Sequence, residues 1–402
     1  MFHPIVQKAN REDFRTIKGP RTGRSFNIRE LTYGVLDTNP ESPLSCVSVT
    51  NSSLSIDLWK GCSWQCSYCH AQGSMQDLDK DTLTMPDRPL ARSKFSIKEI
   101  VDALKEHPFF EPDQSIISIG SSTTEPLAYK QISESTFEIM ECLAEKGYKN
   151  PFWVITKAGF PIDYKNRLSH IVSNGNPCMI SFCWANNPKS IEPKQNNRFK
   201  NIAEAHKTGA ATSWYFRPIA EGWSSDPKRL EDAFKKASKY ADSIDMIVPG
   251  GLRWTEGIEY GVSEVRGLAM PEIAHDDNVK ELSDEVWDKI FKLAAQYLPD
   301  TPVYKKSSCA LSKMLNRPSI NLVQLKDPIM CNSSLCPNQQ RDVCRNFVLP
   351  DKKGLNTRLA AVGLSGICID HISPNGEIET CPSFNKLTFA LKQMVTLILA
   401  EE

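Results

Sequence analysis

The sequence predicts an α/β fold in which six strand–helix units feed a parallel sheet, with an extension on either side. Three observations carry this. From about residue 53 short apolar runs alternate with amphipathic stretches, the pattern of βα units. Between some of the runs apolar residues recur at helical spacing. Beyond about residue 300 the alternation stops, in a segment rich in Cys, Asn, Pro and Ser.

The first fifty residues carry seven Lys or Arg against three acids up to Glu30, with several turn formers. They read as an extension, residues 1–52, whose mild basicity is a solvated face. Six candidate strands follow: Leu54–Trp59, Ser115–Ile119, Phe152–Thr156, Cys178–Phe182, Thr212–Arg217 and Ile244–Val248. Between the second and third, Phe137, Met140 and Leu143 form a helical stripe that stops at Gly147. Between the fifth and sixth, Leu230, Ala233, Phe234, Ala237 and Ala241 form another, with Asp226 placed to cap it and Pro227 at its first position. A last helix, Ser283–Leu298, aligns Val286, Ile290, Phe291, Ala294 and Leu298 and is ended by Pro299. Residues 53–300 are thus the βα body. Residues 301–402 have too few long apolar stretches to build a core unaided, so a metal centre or docking onto the body must hold them.

Across 402 residues the chain is 40% hydrophobic and 24% charged, and its 48 Lys plus Arg balance 48 Asp plus Glu. Zero net charge argues against a broad electrostatic grip on a nucleic-acid backbone or an anionic membrane. No run of about 18 apolar residues predicts a transmembrane helix. Residues 1–16 are charged and lack the apolar stretch of a secretory signal. A cytoplasmic chain is expected, without a membrane partner and with reduced thiols. Its thirteen cysteines then point to metal. Cys46, Cys142, Cys178 and Cys183 are scattered and read mostly as small buried hydrophobes.

The segment Lys60-Gly61-Cys62-Ser63-Trp64-Gln65-Cys66-Ser67-Tyr68-Cys69-His70 follows the first strand directly. Three thiolates on one loop can bind three irons of a [4Fe–4S] cube and leave the fourth open to a small chelating ligand. With 13 cysteines in 402 residues this spacing arises by chance in about one such chain in a hundred. Structural zinc is the alternative. It asks for a fourth protein ligand, and His70, adjacent to Cys69, would be strained in that role.

This loop, with aromatic Tyr68 as the penultimate residue of the motif, resembles that of the radical S-adenosylmethionine (radical SAM) enzymes. The resemblance covers Ser55 to Arg253 and implies a partial (β/α)6 TIM-type barrel. The strand tails Gly120–Pro126, Ile155-Thr156-Lys157, Ile180-Ser181-Phe182 and Phe216-Arg217-Pro218-Ile219 are similar to the spore photoproduct lyase-like, or DNA-repair photolyase-like, branch. It implies Tyr68 beside the adenine, Thr124, Lys157, Ser181 and Arg217 on the cofactor, and Glu125 near its amino group. Where spore photoproduct lyase has a hydrogen-donating cysteine, Ser122 stands here. Cys183, which by alternation shares the inward face of Ser181, is the candidate catalytic donor, with a buried structural thiol as the alternative.

Cys331, Cys336 and Cys344 come as CNSSLCPNQQRDVC, and Cys368 and Cys381 frame a segment with a glycine turn at Gly376. The second segment resembles the opening of a SPASM or twitch extension. That implies an auxiliary [4Fe–4S] cluster on three or four of Cys331, Cys336, Cys344, Cys368 and Cys381, with Cys309 a further candidate and zinc the alternative metal. The family chemistry implied is reductive cleavage of S-adenosylmethionine to a 5′-deoxyadenosyl radical that abstracts hydrogen from an organic substrate, in an oxidoreductase or lyase served by a flavodoxin or ferredoxin. Zero net charge favours a peptide or small molecule, while the branch resemblance points to a nucleotide or nucleic acid. A non-catalytic zinc or iron–sulfur binding protein is the reading from another class. A third takes the C-terminal cysteines as a zinc module for a protein or nucleic-acid partner.

Overall fold

The computed structural model describes residues 12–31, 42–50, 52–60, 62, 64, 66–69, 91–107, 109–121, 124–191, 198–271, 282–319, 336–346, 351–361, 364, 366–372 and 378–381. β1 (Glu12–Lys18) and β2 (Ser25–Leu31) form an antiparallel hairpin. β3 (Val47–Val49) and β4 (Leu54–Ile56) pair antiparallel, as do β5 (Trp59–Lys60) and β6 (Ala91–Arg92). Then follow α1 (Ile97–Ala103), β7 (Ile117–Ile119), α2 (Lys130–Glu145), β8 (Phe152–Thr156) and α3 (Lys165–Ser173). The series continues with β9 (Cys178–Cys183), α4 (Arg198–His206), β10 (Ala211–Tyr215), α5 (Pro227–Ala237) and β11 (Met246–Ile247).

One seven-stranded sheet, in the order β11-β10-β9-β8-β7-β4-β3, organises the body. Every neighbouring pair is parallel except β3 with β4. Each of the six predicted runs contributes a strand to it, although Leu54–Trp59 does so only through Leu54–Ile56, Trp59 belonging to the β5–β6 pair. The antiparallel edge strand β3, which lies before residue 53, is an addition. Local signals start the helices as expected, although α5 stops at Ala237 and Ala241 falls in a 3-10 stretch, Ser238–Ser243, with non-helical backbone at Tyr240. Asp226 accepts from the Arg229 N–H with Pro227 at the first turn, and Ser283 caps the later helix. Ser96 and Glu99 form a reciprocal capping box on α1.

The two faces of the sheet differ, because side chains alternate along each strand. Ile56, Ile117, Phe152, Val154, Ile180, Phe182 and Trp214 belong to the main core, together with Ile100, Met140, Leu168, Ile202 and Phe234 from α1 to α5. The opposite face carries Ile116, Trp153, Met179, Met246 and Val248 in a second cluster. It also holds buried hydroxyls that bond across strands: Ser53 to Ser118, and Ser213 and the Trp153 indole to Ser181.

Beyond β11 come α6 (Glu256–Glu259), a π-helical turn (Tyr260–Val265), α7 (Asp284–Tyr297), α8 (Ser307–Leu315), α9 (Asn338–Arg345), α10 (Lys352–Ala361) and the hairpin of β12 (Cys368–Ile372) and β13 (Ile378–Cys381). This region docks onto the body, the second of the two supports expected for it. Tyr304, Ala310, Leu311 and Cys336 pack on the second face of the sheet, and the Tyr304 N–H donates to the Ile247 carbonyl at 2.8 Å. Leu355, Leu359 and Ile369 enter the main core. Among the described residues no helix is long and apolar enough to cross a membrane.

The N-terminal basic residues are more than a solvated face. Arg24 pairs with Glu259 at 2.6 Å, and the Arg21 guanidinium donates to the Glu264 carbonyl at 2.9 Å. Sequence alone could not show this, since the acids lie more than two hundred positions away.

Candidate active site

The cysteine loop starts beyond the carboxyl end of β4, and its described residues are Cys62, Trp64 and Cys66 to Cys69. Ser67 anchors it by donating through its backbone N–H (2.9 Å) and its hydroxyl (3.2 Å) to the Ile191 carbonyl. The Cys69 N–H closes a turn on the Cys66 carbonyl at 3.0 Å. Cys66 and Tyr68 are buried in an apolar cluster with Ile191, Ala220, Trp223 and Leu252, which follow β9, β10 and β11. The loop therefore lies where the strands end, the place at which parallel α/β sheets bind ligands.

The donor chemistry suits an iron–sulfur cube: three thiols come from one loop, none is in a disulfide, and Cys66 is buried while Cys62 and Cys69 are half-buried. Among the described residues, however, no three His, Cys, Asp or Glu side chains are closed tightly enough to hold a metal ion. His70 lies outside the described residues.

Around the loop the strand ends bring several of the predicted residues together. The Lys157 ammonium, just after β8, donates to the Tyr68 phenol at 2.5 Å and to the Cys183 sulfur at 3.4 Å, and lies 4.6 Å from the Tyr68 ring centroid. Cys183, at the end of β9, donates to the Arg217 carbonyl at 3.2 Å. Arg217 lies over the Tyr215 ring at 4.4 Å and donates to its phenol at 3.0 Å and to the Pro249 carbonyl at 3.3 Å. Its side chain fills the space that a Cβ on residue 250 would take, which gives Gly250 its reason.

Glu125 is buried, and both carboxylate oxygens are engaged. One accepts from the Lys157 backbone N–H at 2.7 Å, the other from the Thr156 hydroxyl and, at 3.4 Å, from the Leu127 N–H. Burial pushes its carboxyl up; the Thr156 and Lys157 bonds and the charge of Arg198 oppose this without cancelling it.

Two predicted contacts stand differently. Ser181 is buried, its hydroxyl taken up by Trp153 (2.9 Å) and Ser213 (2.7 Å) within the sheet. The Thr124 hydroxyl is buried and has no hydrogen-bond partner among the described residues. Ser122 lies outside the described residues.

The C-terminal cysteines separate into two places. Cys309 and Cys336 pack with Tyr304 in the cluster on the second sheet face. The Tyr304 phenol, pushed up by burial and then by the sulfurs of Cys336, Cys309 and Cys344 beside it, has no hydrogen-bond partner among the described residues. Gln340 ties Cys344 to this corner, donating to its sulfur at 3.5 Å and to the Arg317 carbonyl at 3.1 Å. Cys368 and Cys381 face each other across β12 and β13, both exposed. Cys331 and Gly376 lie outside the described residues. Of the scattered cysteines, Cys178 is fully buried and its thiol is pushed up to about 12, as expected of an inert packing residue.

Arg198 is a site residue that sequence reasoning missed. It is buried at the start of α4, donates to the Ala158 carbonyl at 2.8 Å and lies 5.9 Å from the ring of Trp64 in the cysteine loop. An arginine heading an amphipathic helix carries no local signal of such a role.

No family profile matches this chain, and no curated protein matches it. Among solved structures it is similar to methylornithine synthase (PylB), at 15% identity over 77% of this chain and 81% of that one, with a TM-score of 0.38. A likeness of that degree leaves the function to be argued from the site.

Proposed function

We propose that this chain is a radical SAM enzyme whose cluster is held by Cys62, Cys66 and Cys69. The observation that carries the reading is the placement of the three-cysteine loop at the carboxyl end of the parallel sheet, packed against the segments that follow β9, β10 and β11. When bound, a [4Fe–4S] cluster with S-adenosylmethionine supplies an electron and, from it, a 5′-deoxyadenosyl radical that takes hydrogen from an organic substrate.

The chain's own residues have roles to match. Tyr68 offers an aromatic face for the adenine, held by Lys157. Glu125 and Thr124 lie at the end of β7, where an amino group would be received, and Arg217 offers a cation at the end of β10. Cys183, between the Lys157 ammonium and the Arg217 carbonyl, is positioned to donate hydrogen. Apolar packing from Trp223, Leu252 and Ile258 excludes water from the loop. Zero net charge supports a peptide or small-molecule substrate over a nucleic acid. For a second metal, proposed on three or four of Cys331, Cys336, Cys344, Cys368 and Cys381 with Cys309 as a further candidate, the support is that Cys309, Cys336 and Cys344 lie near the Tyr304 phenol, whereas Cys368 and Cys381 are exposed on their hairpin.

The test is iron and acid-labile sulfide per chain after anaerobic reconstitution, with 5′-deoxyadenosine read after reduction with S-adenosylmethionine. About eight irons falling to about four in the Cys62, Cys66 and Cys69 triple Ala variant indicates two clusters. About four falling to none leaves the first cluster alone. No iron bound by the wild type, or no 5′-deoxyadenosine, would falsify the reading and leave a non-catalytic metal protein.

A further inference from the structure

We propose that the N-terminal hairpin is a latch that keeps the cysteine loop closed, with Glu264 as the positioning residue through which it acts. The loop is covered by the segment made of α6 and the π-helical turn. Ile258 and Val262 of this segment are buried in the same apolar cluster as Cys66 and Tyr68, joined by Leu268 and Met270. A π turn such as this one, marked by the Arg266 N–H bond to the Gly261 carbonyl at 3.2 Å, is an uncommon feature that often accompanies functional sites.

The other side of the same segment is gripped by the turn between β1 and β2. Glu264, only 2% exposed, accepts from the Arg21 N–H (2.8 Å), the Thr22 N–H (3.1 Å) and the Thr22 hydroxyl (2.7 Å), and its own carbonyl accepts from the Arg21 guanidinium (2.9 Å). Charge-assisted bonds of this kind are among the stronger ones. Arg24 adds its pair with Glu259 at 2.6 Å, and Phe26 meets Tyr260 edge-on at 5.5 Å.

Two glycines make the approach possible. A Cβ on residue 19 would lie 2.5 Å from the Glu264 carboxyl carbon, and one on residue 267, where φ is +66°, would lie 2.8 Å from the Arg21 guanidinium. The fit is that of a built contact between parts of the chain 243 positions apart. One face of a short segment thus holds the hairpin while the other lies on the cysteines, so releasing the first loosens the second. The latch goes beyond the enzymatic reading; only its use, keeping water and oxidants off the loop, rests on that reading.

The experiment is alkylation of the reduced full-length chain with iodoacetamide, followed peptide by peptide by mass spectrometry. Cys66 reports on the loop and Cys178 on the core. Glu264→Ala is expected to speed labelling of Cys66 about tenfold while Cys178 stays protected, as a local opening would. Glu264→Gln is expected to fall between. Thr22→Val removes the hydroxyl's bond to Glu264, and with it the one it accepts from the Arg24 N–H, but leaves the carboxylate, so it decides the matter if Glu264→Ala does not fold; about a threefold rise is expected. Cys66 labelled at the wild-type rate in a folded variant whose residues 12–31 have become protease-sensitive overturns the proposal. The labelling needs no cofactor, so a wild type that assembles no cluster defeats the enzymatic reading and leaves the latch standing.

Discussion

The Lys157 ammonium donates to the Tyr68 phenol at 2.5 Å while lying 4.6 Å from its ring centroid, and so ties the end of β8 to the cysteine loop. It combines a hydrogen bond with a cation–π contact, each worth about 1 kcal/mol. Lys157→Met is therefore expected to lower thermal stability by about 2 kcal/mol and, with Lys157 on the cofactor surface as proposed, to weaken S-adenosylmethionine binding to the reconstituted protein about tenfold. Titration calorimetry reads this directly. An unchanged affinity would remove Lys157 from the binding surface.

Glu125 gives a prediction about pH. Burial raises its carboxyl above the ordinary 4.5 in the folded chain, so the native state holds that proton more tightly than the unfolded state does. The linked stability is complete below 4.5 and is lost as pH rises through the folded value. Urea midpoints are expected to decline in the wild type as pH rises from 4.5 through the folded value, to level off above it, and to decline less in Glu125→Gln. Parallel curves for the two proteins would assign the slope to another group.

The C-terminal cysteines can be separated by metal analysis of the purified chain. A double Cys309→Ser, Cys344→Ser variant is expected to lose the proposed second metal, because those sulfurs lie near the Tyr304 phenol with that of Cys336. Cys368→Ser with Cys381→Ser is expected to retain it, since that pair sits exposed on a hairpin. Loss in the second variant and retention in the first would reverse the assignment.

Much of this protein is written locally. The six runs that became β4 and β7 to β11 were legible because burial on both faces of a parallel sheet demands continuous apolar residues. The cap at Asp226 was legible because a helix start needs an acceptor beside its first N–H groups. The cysteine loop was legible because its three thiols lie within eight consecutive residues. Edge strand β3 was not, because it precedes the alternation that begins at about residue 53 and pairs antiparallel through a short turn, outside the repeating βα pattern.

The sequence by itself determined the order of strands and helices and the grouping of three thiols after the first strand of the series. The tertiary structure alone decided which side chains meet. It placed Arg198 against Trp64, Cys183 between Lys157 and Arg217, Cys309 beside Cys336, and the Arg21 turn on Glu264. Periodicity and capping act over a few residues, whereas these pairings join positions from tens to hundreds of residues apart. They form only when the sheet closes its core and brings distant segments together.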